Sequence, residues 1–174
     1  MPEADLLQGK RILIVDDEED ILDTLRDFLD MCTVDSAPDF ETATKFLDRY
    51  EYDAAIFDIM GVRGYDLLRM TVTKGTPTVM LTAHALSPEH LVSSIKQGAQ
   101  AYVPKYEIKH IGTFVRDVLE ARKEGITKHG NWFARLKPFF NKHFGADWRE
   151  KDKAFWTDFD KNYVVTKQEL EGIM

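Results

Sequence analysis

Four places in the 174-residue chain put a chemically capable side chain directly after a short apolar run. Asp16 and Asp17 follow Arg11-Ile12-Leu13-Ile14-Val15, and Asp58 follows Ala54-Ala55-Ile56-Phe57. Thr82 follows Thr78-Val79-Met80-Leu81, and Lys105 follows Ala101-Tyr102-Val103-Pro104. Gathered at one place, three carboxylates repel, and burying them unpaired is costly. A hard divalent cation with oxygen ligands resolves the conflict, and Mg2+ suits a site with few carboxylates and several waters. The cation would neutralise Asp58 and an incoming phosphoryl group together. A carboxylate can serve as nucleophile and form an acyl phosphate. Lys105 supplies a point charge for phosphate oxygens, and Thr82 a hydrogen-bond donor. Ala83 is small and leaves space beside them. Singly, each residue has a plainer reading: a threonine ends a strand, and an exposed lysine meets solvent. Acids in a first helical turn complement the helix dipole, which accounts for Glu18, Glu19 and Asp20 better than for Asp16 and Asp17.

The intervening residues alternate between strand and helix. Short apolar runs suit strands buried on both faces of a parallel sheet. Ile21, Leu22, Leu25, Phe28 and Leu29 recur at helical spacing. Residues 32–37 read as a second strand, and Pro38-Asp39 starts a helix through Ala43, Phe46 and Leu47. A further helix runs from 64 to about 73, with Leu67, Leu68 and Met70 inward. Ser87-Pro88 opens another as N-cap and first helical residue, and Gly98 stops it. A last helix covers about 108 to 123, with Ile111, Phe114, Val115, Val118 and Leu119 on one face. Five such alternations with right-handed crossovers predict a doubly wound, flavodoxin-like α/β fold with a five-stranded parallel sheet. Chemistry in such sheets sits outside the carboxyl ends of the strands, which is where Asp16, Asp17, Asp58, Thr82 and Lys105 would lie.

Residues from about 11 to 123 resemble a response-regulator receiver domain of the chemotaxis-regulator type. The likeness rests on Val15-Asp16-Asp17, Phe57-Asp58-Ile59-Met60, Leu81-Thr82-Ala83 and Gly98-Ala99-Gln100-Ala101-Tyr102-Val103-Pro104-Lys105. It implies that Asp58 accepts a phosphoryl group from the phosphohistidine of a sensor histidine kinase or phosphotransfer protein. It implies that Asp16, Asp17, Asp58 and the backbone carbonyl of Met60 hold Mg2+, and that Thr82 and Lys105 hold the phosphoryl group. Tyr102 matches the family's switch aromatic, whose rotamer follows the threonine. Thr82 moving toward added phosphate would free space for Tyr102 and change the face of the fourth helix, fifth strand and fifth helix. Met60 and His84, two residues beyond Asp58 and Thr82, occupy positions that tune phosphoryl lifetime in the family. Two features depart from the pattern. Gly61-Val62-Arg63-Gly64 lacks the proline common after the acceptor motif, which predicts a more pliable loop. Proline precedes Lys105 instead of following it, so the usual cis bond after lysine is absent, and Val103-Pro104 is open to either isomer.

The expected division is a receiver at 8–125 and an aromatic-rich helical extension at 126–174. Trp132, Trp148 and Trp156 all lie in the second part, with Phe133, Phe139, Phe140, Phe144, Phe155 and Phe159, too apolar for a disordered linker. Asn131 is a candidate N-cap and Gly145 a stop for a helix presenting Trp132, Leu136, Phe139 or Phe140, and Phe144. Pro138 predicts a kink or a new start within it. Asp147 suits the cap of another helix through about Phe159, and Thr166-Lys167-Gln168-Glu169 is a capping-box pattern. An interaction or dimerisation role leads for this part, with homodimerisation among the options. Arg135, Lys137 and Lys142 form a basic stripe that Asp147, Glu150 and Asp152 balance. The net charge of −7 argues against general nucleic-acid binding. Asp158, Asp160, Asn162, Thr166 and Glu169 match calcium-loop spacing, but Tyr163 stands where the turn needs glycine. The helix at 132–144 could also lie on a membrane surface.

No apolar stretch approaches the roughly 20 residues of a membrane span. Lone Cys32 excludes an internal disulfide and fits a reducing compartment, so the expected location is cytoplasmic. The leading expectation is a signalling switch with no metabolic turnover. Two alternatives remain: a phosphate-independent docking module with the same fold, and an aspartyl-phosphate phosphatase of the haloacid-dehalogenase type. The second needs its nucleophile in a D-x-D motif on the first strand, whereas Glu18 follows Asp16-Asp17 here.

Overall fold

A computed structural model of the chain describes residues 6–123 and 131–162. Five strands form one parallel sheet: β1 (Arg11–Val15), β2 (Thr33–Ala37), β3 (Ala54–Phe57), β4 (Thr78–Thr82) and β5 (Ala101–Pro104). Their spatial order is β2-β1-β3-β4-β5. β1, β3, β4 and β5 are apolar runs because helices cover both faces, leaving no solvent side to alternate toward. Register aligns Val15 with both Ala37 and Phe57, Phe57 with Met80, and Thr82 with Pro104. The carboxyl ends of β1, β3, β4 and β5 therefore share one edge.

Helices α1 (Glu19–Phe28), α2 (Phe40–Arg49), α3 (Gly64–Lys74), α4 (Pro88–Lys96) and α5 (Ile111–Lys123) alternate with the strands. Asp39 caps α2 through the Thr42 N–H at 2.8 Å, and Ser87 caps α4 through the His90 N–H at 3.1 Å. Leu22, Leu25 and Leu29 are buried as the spacing requires, but Phe28 is 41% exposed at the end of its helix. The helix expected from about 108 begins instead with a 3₁₀ turn, Lys105–His110, and α5 proper starts at Ile111. That turn lets Lys105 leave the strand edge sideways over the site. Val103-Pro104 is trans, as is every described peptide bond.

Two further helices follow, α6 (Asn131–Phe144) and α7 (Lys153–Asn162), joined by a 3₁₀ turn, Trp148–Asp152. Pro138 does not break α6. It lies on the exposed side, while Trp132, Phe133, Leu136 and Phe140 are buried on the other. Burial of those side chains outweighs the one backbone bond that proline forfeits, about 3 kcal/mol. Gly145, at φ +96°, supplies the left-handed residue that ends α6. Asp147 precedes the 3₁₀ turn without a side-chain cap bond.

The apolar face of α6 is turned toward the protein and not toward a membrane surface. Asp158 and Asp160 sit on helix α7, not in the loop a calcium site needs, and Asp160 pairs with Arg149. Thr166 and Glu169, and with them the capping-box pattern, lie outside the described residues. Within the basic stripe, Arg135 is engaged by Asp117 of α5. No helix among the described residues is long and apolar enough to cross a membrane.

Candidate functional site

The site is built where β1 and β3 hand over to the next element. Asp16 and Asp58 are 1% and 3% exposed, while Asp17 faces solvent. One carboxylate oxygen from each of Asp16, Asp17 and Asp58 lies within 4.8 Å of the others. Asp16 Oδ1 accepts the Glu18 N–H at 2.9 Å, which fixes its carboxylate. Asp58 Oδ1 is fully buried and has no hydrogen-bond partner among the described residues. A buried carboxylate oxygen without a donor is costly, and its natural remedy is a cation.

Lys105 reaches into this cluster from β5. Its Nζ lies 2.8 Å from Asp16 Oδ2 and donates to Glu18 Oε2 at 2.9 Å and to Asp58 Oδ2 at 3.3 Å. Burial pushes Asp58 up to about 6, with the Asp16 charge adding to it and Lys105 opposing. Burial likewise raises Asp16 above the ordinary carboxylate range, against the pull of Lys105. Burial also works to lower the Lys105 ammonium, but its contacts with Asp16, Glu18 and Asp58 outweigh that and hold it above its usual value. Glu18 is lowered by its hydrogen bond to Lys105. One ammonium thus faces three carboxylates, leaving the site net negative and receptive to a second cation.

The loop after Asp58, expected to be pliable, makes several contacts. Val62 is buried, and Arg63 takes a left-handed conformation with its guanidinium 3.9 Å from the Phe40 ring centroid and bonded to Asp66. Gly61 has φ +85°, and a Cβ there would meet Asp17 Oδ2 at 2.4 Å. At Gly64 a Cβ would lie 2.1 Å from the Asp58 carbonyl oxygen. Gly64→Ala is expected to lose about 3 kcal/mol of stability, since rigid backbone must give way. A urea midpoint unchanged from wild type would contradict that packing.

Thr82 is fully buried, and its Oγ1 accepts the Ala85 N–H at 3.0 Å. No hydrogen bond joins it to Asp58 among the described residues. The fully buried Tyr102 donates its hydroxyl to the Ala85 carbonyl at 2.6 Å and accepts the Ser87 N–H at 3.1 Å. Thr82 and Tyr102 therefore hold the same β4–α4 loop from two sides. Met60 is 50% exposed two residues beyond Asp58, and His84, also exposed, adds to the lowering of Glu18.

Sequence reasoning placed Asp16, Asp17, Asp58, Thr82 and Lys105 at one edge, and the structure does the same. It missed Glu18 as a partner of Lys105, having assigned it to the helix dipole. The available signal was an acid directly after an acid pair. It also missed Tyr65, whose hydroxyl meets His90 Nδ1 at 2.8 Å and so links α3 to α4.

The response regulator receiver domain model matches residues 12–112. The transcriptional regulatory protein CpxR of Klebsiella pneumoniae is 32% identical over 127 residues, 70% of this chain and 51% of that protein. TcrA of Mycobacterium tuberculosis, also named a transcriptional regulatory protein, is 31% identical over 132 residues, 71% of this chain and 48% of its own. The chain thus spans about half the length of these relatives. Among solved structures, a CheY-like response regulator receiver domain protein from Methanospirillum hungatei covers 68% of this chain and 99% of its own, at 27% identity and TM-score 0.61. A putative response regulator from Chloroflexus aurantiacus matches at 27% identity and TM-score 0.58, over 65% of this chain and 99% of its own. With its sheet order, its acidic edge and a family match over most of the α/β part, the chain belongs to the response regulator receiver domain family.

Proposed function

We propose that the chain is a phospho-accepting receiver, residues 8–125, carrying its own helical extension, 126–174, in a two-component pathway. The observation that carries this reading is Asp58 Oδ1, buried and unpartnered within a cluster of three carboxylates and one ammonium. The donor is the phosphohistidine of a histidine kinase or phosphotransfer protein. An Asp58 carboxylate oxygen bonds to phosphorus as the phosphorus–nitrogen bond breaks, and the imidazole leaves and takes a proton. Asp16, Asp17, Asp58 and the Met60 carbonyl are the residues that would hold Mg2+, whose charge would offset that of the transferring phosphoryl group. Lys105 neutralises a phosphoryl oxygen by turning from Asp58 Oδ2. Thr82 gives up the Ala85 N–H and donates its hydroxyl to another oxygen.

Met60 limits access of hydrolytic water, and His84 stands where it can orient that water. His84→Ala is expected to change the dephosphorylation rate; an unchanged rate removes His84 from this account. Relatives named as transcriptional regulators show that receivers of this kind occur in longer proteins that act on genes. The charge of this chain therefore does not decide whether nucleic acid lies downstream.

The test is acetyl phosphate with Mg2+, followed by intact-mass measurement and peptide mapping. The expected result is one phosphoryl group on the Asp58 peptide, lost when Mg2+ is chelated. An unlabelled chain beside a control receiver that labels would sink the assignment.

A further inference from the structure

The extension touches the very residues that hold the β4–α4 loop. The Phe140 ring of α6 lies 6.1 Å from the Tyr102 ring, and both side chains are fully buried. Phe140 in turn packs on Phe133, Phe144 and Trp148. A continuous path thus runs from Thr82 Oγ1 through Ala85 to Tyr102 and into the aromatic core of the extension. At the rim, Arg135 makes two hydrogen bonds to Asp117 of α5, at 2.8 and 3.1 Å. On the other side Lys96 of α4 lies 3.8 Å from Asp152 and 5.5 Å from the Phe155 ring centroid. The extension therefore spans α4, β5 and α5 with Tyr102 beneath its centre.

We infer that α6 and α7 are the docked occupant of this face in the unphosphorylated chain, and that phosphorylation of Asp58 releases them. This rests on the phospho-acceptor reading above. Recruitment of Thr82 to a phosphoryl oxygen takes its hydroxyl from the Ala85 N–H. The loop that anchors the Tyr102 hydroxyl then loses one of its fasteners, and the Tyr102 ring loses the position on which Phe140 packs.

Two features keep release within reach. Of the rim pairs, Lys96–Asp152 is an exposed ion pair, worth about 0–1 kcal/mol, while Arg135 is half-exposed above the largely buried Asp117 side chain. The seam with α4 is also incompletely covered, with an open groove of about 530 Å3 lined by Pro88, Val92, Lys96, Trp148, Asp152 and Trp156. The freed element would present the aromatic faces of Trp148 and Trp156, together with the uncovered face of α4, β5 and α5.

The three tryptophans all lie in the extension and are 2–3% exposed, so their quenching by acrylamide reports release directly. Full-length wild type and Asp58→Asn are treated with acetyl phosphate and Mg2+, and mass, quenching and molecular size are read on the same samples. Wild type is expected to gain label and to show quenching raised by about twofold or more, as a shift from mostly docked to mostly released requires. Asp58→Asn should show neither. Coupling is reciprocal, so loosening the dock must favour the label. Phe140→Ala, and Arg135→Ala as a surface change that leaves the core intact, should raise the labelled fraction at limiting acetyl phosphate by about fivefold. Label without added quenching overturns release and leaves phospho-acceptance standing. Absence of label overturns phospho-acceptance and release together. Labelled chains that double in size with tryptophans still shielded place a second copy on the face and overturn release in this form.

Discussion

Replacing Asp58 by Asn is expected to stabilise the cation-free chain by about 3 kcal/mol at pH 7.5 while abolishing phosphoryl acceptance. The reason lies in the same burial that equips the site. In the folded chain burial pushes Asp58 up to about 6, from an ordinary carboxylate value of 3.8. Each unit of such a shift corresponds to about 1.4 kcal/mol. The folded state keeps the Asp58 proton up to about pH 6, whereas the unfolded chain releases it near 4. The folded chain thus binds more protons between those values, so wild-type stability falls through that window and the deficit persists above it. Asparagine does not titrate. The stability difference between Asp58→Asn and wild type should therefore be small at pH 4, grow toward pH 6 and stay constant beyond. Urea unfolding at a series of pH values measures it. Mg2+ should reverse the order, since a ligand at a hundredfold its Kd adds about 2.7 kcal/mol to the form that binds it. An asparagine variant less stable than wild type at pH 7.5 without Mg2+ would mean that Asp58 is satisfied in a way the geometry does not show.

Much of this site could be read from sequence because it is carried by strand ends. A parallel strand buried on both faces is a short apolar run, and its end is marked by the first polar residue. Asp16, Asp58 and Lys105 follow such runs directly, and Thr82 closes β4. Their convergence then follows from topology alone. What lay beyond reach depends on contacts between distant elements. The periodicity of Trp132, Leu136 and Phe140 announces a helix with an apolar face but not that the face covers Tyr102. No new helix starts at Pro138 for the same reason: propensity is local, and the burial that carries α6 through it is tertiary. The 3₁₀ turn at Lys105–His110 has no periodic signature over so few residues. Glu18 had a sufficient local explanation at the start of α1, so its bond to Lys105, 87 residues away, was invisible.

Lys105→Ala carries the opposite sign and a larger size. The ammonium is 8% exposed and is shared by Asp16, Asp58 and Glu18. Its removal leaves two buried carboxylates without compensation, and breaking a buried pair from one side costs about 3–5 kcal/mol. Part of that loss is relieved when the carboxylates take up protons. The destabilisation should therefore be greatest at pH 7.5 and smaller near pH 4.5, where Asp58 is protonated in the folded chain. Mg2+ should restore part of it by supplying the missing positive charge. Phosphoryl acceptance should not recover with it. A cation held by Asp16 and Asp17 does not replace a donor aimed at the transferred group, and loss of one such donor costs about 100-fold or more in rate. Lys105→Arg should rescue little, because a planar fork does not fit a space shaped for a single ammonium among three acids. Combining Lys105→Ala with Asp58→Asn separates the contributions. If the lysine mainly offsets the Asp58 charge, Asp58→Asn should stabilise the Lys105→Ala background clearly more than it stabilises wild type at pH 7.5, by about 2 kcal/mol of coupling. Strict additivity with wild-type-background values would instead assign the lysine to Asp16 and Glu18, with Asp58 only a bystander to its charge.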